Sequence, residues 1–274
     1  NQIPKEVNIL EFPETTTLFL SKKIFPTIKL LCTHPIMAFS KFNYILWRLF
    51  GVRENSRQKI WDFMTKSVPS LKKEYDIAIG YIQTWPIYFV IDKVKSKKKL
   101  GYIHTDYKKA GFDSEYDYKY FKELDLIVTV SEECVDVLKN VFPSLTKKIK
   151  LNYNITSTYL CRKMGLEGKA YTDNFNGIRI ITVGRLAKVK GYDIAIKALH
   201  LLKEDGFNVR WYVIGKGPDK ERIKSLIRYY NLESDFILLG EKSNPYPYIA
   251  QSDLYVQTSL YEGYCIAIDE ALAL

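Results

Sequence analysis

Three short stretches late in the chain hold residue types suited to a phosphorylated ligand. In Gly184-Arg185-Leu186-Ala187-Lys188-Val189-Lys190-Gly191, two cations flank a turn between an apolar run and an amphipathic one. Arg185 and Lys190 with the N–H groups of a helix start make a site for a diphosphate, and Gly184 and Gly191 let the backbone come close. Taken alone, the same residues also read as a solvated basic loop. The spacing is not that of a P-loop. Ile214-Gly215-Lys216-Gly217-Pro218 ends the next apolar run; it permits close approach to a ligand and equally makes an ordinary tight turn.

The third stretch, residues 259–271, sets Glu262 in a loop and Glu270 on the helix that follows. Between them Gly263, Tyr264 and Cys265 can turn N–H groups toward an anion. A carboxylate on a helix beside a phosphate site suits a pair of ribose hydroxyls. Ile266, Ala267, Ile268, Ala271 and Leu272 predict a largely buried helix, where a carboxylate needs a partner. That favours function over surface glutamates.

The elements that must position these residues alternate. β-branched apolar runs at 179–183, 210–214, 236–239 and 254–258 are separated by helical patterns at 191–202, 220–230 and 246–250. The first half repeats this, with strands expected at 7–12, 75–81, 99–104 and 126–130 and helices at 56–71, 87–95, 116–123 and 132–141. Such runs suit strands buried on both faces of a parallel sheet. Strand–helix repetition in both halves predicts two doubly wound α/β domains. Residues 152–177 lose the period; domains are expected at 1–158 and 178–274, with 159–177 between them. Ligands of such folds sit beyond the carboxyl ends of the strands, at the loops after Val183, Ile214, Leu239 and Thr258.

Composition narrows the class. Four cysteines, Cys32, Cys134, Cys161 and Cys265, have no C-x-x-C spacing, which argues for a reducing compartment and against zinc or a disulfide framework. No apolar run is long enough to span a membrane, and residues 1–5 lack a signal-peptide pattern. The chain begins on a polar stretch and stops in a helical pattern without a C-cap, which reads as a fragment lacking both ends. Residues 1–165 hold 27 Lys and Arg against 17 Asp and Glu, while residues 166–274 hold 14 of each. With no recognition motif beside the charge, nucleic acid is not expected. An anionic membrane surface is a partner the basic half suits, through Lys22, Lys23, Lys29 and Lys41 interleaved with Phe19, Phe25, Leu30 and Leu31, and through the run 95–99. Lysines that only keep an aromatic-rich domain soluble are the alternative.

In order, Gly-Arg-x4-Lys-Gly, Gly-x-Gly-Pro and Glu-Gly-x6-Glu-Ala resemble the C-terminal domain of retaining glycosyltransferase family 4, which includes bacterial capsule and cell-surface polysaccharide enzymes. Residues 239–246 are similar to capsule-type members. The resemblance implies the GT-B fold, two Rossmann-like domains facing a central cleft, both incomplete here. It gives Gly184, Arg185 and Lys190 the donor diphosphate and sets Glu262 beside the donor sugar. It gives Glu270 the ribose, and it places Gly215, Gly263, Tyr264 and Cys265 against the nucleoside and sugar. In the first half Tyr102-Ile103-His104-Thr105-Asp106 looks like the family's His-Asp loop, making His104 a catalytic candidate beside Glu262. Val128-Thr129-Val130-Ser131-Glu132 and Asn154 are similar to later family positions. The family's first strand and Gly-Gly loop are not found.

The reaction so implied moves a hexose from a UDP- or GDP-sugar to a glycan or lipid-linked acceptor with retention, in the cytoplasm or at the inner face of its membrane. No cofactor and no metal are expected, since no Asp-x-Asp pair occurs; cations and N–H groups would stabilise the leaving diphosphate. The rival readings are a sugar epimerase or phosphorylase of the same fold and an inactive membrane-associated binding module.

Overall fold

Short apolar runs form parallel strands here because the amphipathic stretches between them supply crossover helices. The computed structural model describes residues 4–21, 23–50, 56–168 and 170–274. Its two units are Asn1–Asn152 and Tyr153–Leu274. Residues 159–177, expected between domains, lie within the second unit.

The first unit opens with three helices that periodicity did not announce, α1 (Glu14–Leu20), α2 (Ile24–Thr33) and α3 (Pro35–Phe50), and with α4 (Ser56–Met64), which falls within the helix expected at 56–71. A sheet follows, with β1 (Glu74–Gly80), α5 (Trp85–Lys93), β2 (Lys95–Ile103), α6 (Ser114–Phe121), β3 (Leu126–Thr129), α7 (Glu132–Val141) and β4 (Ile149–Leu151). The strands are parallel and lie in chain order, β1-β2-β3-β4. Gly80 brings α5 onto the sheet, because a Cβ there would stand 2.7 Å from the Cα of Ile87. Asp113 and Ser131 cap α6 and α7 by accepting from Tyr116 N and Cys134 N.

Three expectations fail in this unit. Residues 7–12 are not a strand: Val7 N turns back to Pro4 O at 3.1 Å, among the described residues no strand pairs with the segment, and Val7, Ile9, Leu10 and Phe12 stay exposed. β1 is not buried on both faces, since Ile77 and Ile79 are exposed while Ala78 is buried. Lys41 is not on a basic surface. It is 6% exposed and donates to Leu18 O, Ser21 O and Thr27 Oγ1, closing the carbonyl end of α1. Phe19 and Leu30 are likewise core, and Lys22 lies outside the described residues. The run 95–99 enters β2, where Lys97 and Lys98 pair with Asp76 and Asp125.

The second unit contains α8 (Thr158–Gly165), β5 (Ile178–Val183), α9 (Tyr192–Glu204), β6 (Val209–Ile214), α10 (Lys220–Tyr229), β7 (Phe236–Gly240), α11 (Tyr246–Ala250), β8 (Leu254–Tyr255) and α12 (Ile266–Leu272). Helix α8 falls where the period is lost; Ser157 caps it and Gly165 seats it beside Leu274. The sheet order is β7-β6-β5-β8, all parallel. Successive strands step outward from β5 and the last returns to its other side, so the topology switches between β5 and β8. One core of Trp211, Tyr192, Ile196, Leu199 and Phe236 and a second of Tyr171, Ile181, Tyr212 and Ile249 account for its apolar burial.

Candidate functional site

The strand-end loops of the second unit are laced by backbone bonds. Gly184 N donates to Ile214 O at 2.9 Å, Leu186 N to Lys216 O at 3.0 Å and Gly215 N to Gly240 O at 2.8 Å. Gly215, at φ 151°, is required by this lacing: a Cβ there would lie 2.0 Å from Gly184 O. Across the switch point Leu260 N donates to Val189 O at 2.8 Å and Thr258 Oγ1 to Lys190 O at 2.9 Å. Gly191, at φ 63°, passes so near Thr258 O that a Cβ would meet it at 2.1 Å.

This lacing brings the β5 and β8 loops together. Lys190 Nζ lies 2.5 Å from Glu262 Oε1, and that oxygen also accepts from Ser259 Oγ at 2.6 Å. Gln257 Nε2 donates to Ser259 Oγ at 2.6 Å, and Tyr255 OH to Gln257 Oε1 at 2.7 Å. Both members of the ion pair are mostly buried, and Ser259 fixes the carboxylate from a second side. Arg185 is exposed, and among the described residues its guanidinium has no partner. It stands one residue after Gly184, whose carbonyl accepts from Tyr192 OH at 2.9 Å.

The later residues have different surroundings. Cys265 lies near the Lys190–Glu262 pair; burial first, and the Glu262 charge second, push its thiol up, so it stays protonated near neutral pH. Tyr264 OH donates to Asp269 Oδ2 at 2.5 Å. Glu270 accepts from Tyr246 OH at 2.7 Å. Cys161 stands close to both, its thiol raised by burial and then by Glu270. Helix α12 is not largely buried as expected: Ile266, Ile268 and Leu272 are exposed, because only one stripe of so short a helix meets the core. Glu270 therefore sits half-buried at an edge rather than inside.

His104 belongs to the first unit, just past β2. Its ring Nε2 lies 2.8 Å from Tyr81 O, and its backbone N–H donates to Gln83 Oε1 at 3.2 Å. A carbonyl only accepts, so Nε2 carries a proton in this contact. Tyr81 and Tyr102 flank the imidazole with ring centroids 5.0 and 5.7 Å away, and Asn152 Nδ2 donates to Tyr102 OH at 3.0 Å.

Sequence reasoning missed Ser259, Gln257 and Tyr246, which hold the two glutamates, and Tyr81 and Gln83, which hold His104. Single polar residues without periodicity give no signal; Ser259 and Gln257 are visible only as neighbours of the Glu262 motif. Among the described residues no three His, Cys, Asp or Glu side chains gather as a metal site.

Residues 170–274 match the model of the family "Glycosyl transferases group 1". Over 153 residues the chain is 32% identical to N-acetylgalactosamine-N,N'-diacetylbacillosaminyl-diphospho-undecaprenol 4-alpha-N-acetylgalactosaminyltransferase of Campylobacter jejuni, covering 56% of this chain and 40% of that protein. The chain thus spans well under half the length of this relative. A crystal structure of S. aureus TarM in complex with fondaparinux, alpha-GlcNAc-glycerol and UDP superposes with a TM-score of 0.53 at 19% identity, covering 69% of this chain and 37% of TarM. Sucrose-phosphate synthase of Thermosynechococcus elongatus superposes at 0.57 and 15% identity, over 91% of this chain and 60% of that one. The switch-point loops, the family match and these superpositions agree: residues 170–274 are similar to a group 1 glycosyltransferase domain, on a chain with the GT-B fold.

Proposed function

We propose that the second unit binds the diphosphate of a nucleoside diphosphate sugar, and that the protein transfers its hexose, with retention, to a glycan or lipid-linked acceptor in cell-surface polysaccharide synthesis. The observation that carries this is Arg185, exposed and without a partner among the described residues, beside the Lys190–Glu262 pair at the switch point of the sheet. Arg185 and Lys190 neutralise the leaving diphosphate, with Gly184 keeping the loop close to it. Glu262 stands beside the donor sugar and Glu270 takes the ribose. Gly215, Gly263, Tyr264 and Cys265 line the nucleoside and sugar, and His104 orients the donor sugar. The assignment is to family 4 of these transferases. The similarity to a relative whose name carries a diphospho-undecaprenol acceptor supports a lipid-linked acceptor and work at the inner face of the cytoplasmic membrane. No metal takes part.

Titration calorimetry of the 274-residue chain with UDP and with GDP tests the reading. Arg185→Ala and Lys190→Ala should each weaken binding by about 1.5–3 kcal/mol, the range of a charge-assisted hydrogen bond. Glu270→Ala should weaken nucleotide binding and leave pyrophosphate binding nearly unchanged. EDTA should change none of these values. Both cation variants binding as the parent does would remove the diphosphate assignment.

A further inference from the structure

The loop between β7 and α11 carries no residue of the proposed site, yet it is fastened on both sides. Asn244 Nδ2 donates to Met164 O of α8 at 3.0 Å, and Asn244 Oδ1 accepts from Tyr246 N at 3.1 Å. The asparagine therefore ties the start of α11 to the end of α8. Gly165 keeps that junction close, since a Cβ there would stand 2.7 Å from the Leu274 side chain and 3.6 Å from Ala250 Cβ. The Tyr246 ring packs against the core around Ile181 and Ile249. From this anchorage its hydroxyl reaches α12 and donates to Glu270 Oε1 at 2.7 Å.

Glu270 has need of such a hold. It lies in the last turn of α12, a helix of seven residues with Ile266, Ile268 and Leu272 exposed. Glu262 is gripped by both Lys190 and Ser259, whereas among the described residues Tyr246 is the one side chain that donates to Glu270. A long, unheld carboxylate must give up its rotamers before it can grip a ligand. The Tyr246 bond removes that freedom in advance. It takes one acceptor position of Oε1, and a carboxylate has about four, so positions on both oxygens stay open. Two neighbouring hydroxyls, each a donor, match what remains. Burial first, and the bond to Glu270 next, push the Tyr246 phenol up, so it stays a donor at neutral pH.

We infer that Tyr246, seated by Asn244, presets the Glu270 carboxylate and thereby makes the site prefer a ribonucleoside diphosphate to its 2′-deoxy analogue. This rests on the ribose role proposed for Glu270. Tyr246 touches no ligand and is a positioning residue. A mobile carboxylate can follow a single hydroxyl, but it must be fixed in advance to meet a pair at once. Loss of the phenol therefore falls on the ribose form more than on the deoxyribose form.

The test is titration calorimetry of the 274-residue chain with UDP, with 2′-deoxy-UDP and with pyrophosphate. The parent should bind UDP about tenfold or more tighter than 2′-deoxy-UDP, the worth of one hydrogen bond to a charged group. Tyr246→Phe should cut that ratio by about threefold or more and leave pyrophosphate binding as in the parent. Asn244→Ala should cut it by a smaller factor, and carries the test on the same ratio if Tyr246→Phe does not fold. Tyr229→Phe, an exposed change on α10, should alter nothing. An unchanged ratio in Tyr246→Phe, beside a collapsed ratio in Glu270→Ala, overturns the inference and leaves the ribose role standing. Equal weakening of all three ligands in Tyr246→Phe also overturns it, as a general structural effect. A parent that does not distinguish the two nucleotides, or a ratio unmoved in Glu270→Ala, removes the ribose role and the inference with it.

Discussion

The strand-end loops of the two units reach similar ends by different means. In the second unit, backbone bonds to backbone across β5, β6, β7 and the loop after β8, and glycines are obligatory wherever a carbonyl passes within about 2 Å of the Cβ position. In the first unit, beside a backbone bond from Asn152 N to Thr129 O at 2.9 Å, side chains hold the loops after β1 and β2. Gln83 supports His104, Thr129 Oγ1 donates to Ile103 O at 2.8 Å, and Asp106 Oδ1 accepts from Lys109 N at 2.9 Å. Backbone lacing fixes a site whatever its side chains do, which suits a binding surface for an invariant diphosphate. Side-chain support lets a loop be re-aimed by single substitutions.

The comparison breaks first at the glycines. Gly215→Ala and Gly191→Ala should each destabilise the second unit by about 3 kcal/mol, combining positive-φ strain with a displaced carbonyl. Gly206→Ala, at φ 80° with open space around it, should cost about 1 kcal/mol of strain alone. Urea unfolding of each variant measures this, and equal losses at Gly206 and Gly215 would deny the lacing its role.

A smaller effect is expected from the buried polar network of the first unit. Asp117 is fully buried; it accepts from Tyr107 OH at 2.6 Å and from Tyr88 OH. Burial raises its carboxyl pKa despite these bonds. Its folded value lies above the unfolded one of about 3.9, so its contribution is most favourable below that pH and is lost as pH rises through the folded value. Unfolding of the first unit followed from pH 3 to 8 should therefore show a decline that Asp117→Asn removes. An unchanged slope in that variant would place the pH dependence elsewhere.

The smallest effect is at His104. Gln83→Ala removes one side-chain support, worth about 1 kcal/mol, and should raise amide exchange at His104 about fivefold with no change in the second unit. Unaltered exchange would mean that Tyr81 and Tyr102 suffice to hold the ring.

Legibility in the sequence followed the same division. Expected strands at 179–183, 210–214 and 236–239 match β5, β6 and β7 to within one residue, because short runs rich in β-branched and aromatic residues suit strands and are too short for helices. Glycine-bearing loops beside them were legible too, since Gly184, Gly191 and Gly215 mark where backbones approach. Residues 14–50 were not read as helices. Their apolar residues face both the core and the solvent, so the amphipathic signal cancels, and Lys41 looks like a surface charge until α1 supplies carbonyls for it. Helix α12 misled in the opposite way, with an apolar composition that its packing does not bury.

One feature of the second sheet reaches beyond binding. β8 joins its neighbour through only two register pairs, Ile180↔Leu254 and Ile181↔Tyr255, whereas β5 and β6 share six. Glu262 and Glu270 follow that short strand, while Arg185 and Lys190 follow the long central one. Segments with so few ladder bonds open at lower free energy than the block they adjoin. On warming, the acidic half of the site should thus fray from the sheet while the cationic half persists, and during folding it should be the last part to dock.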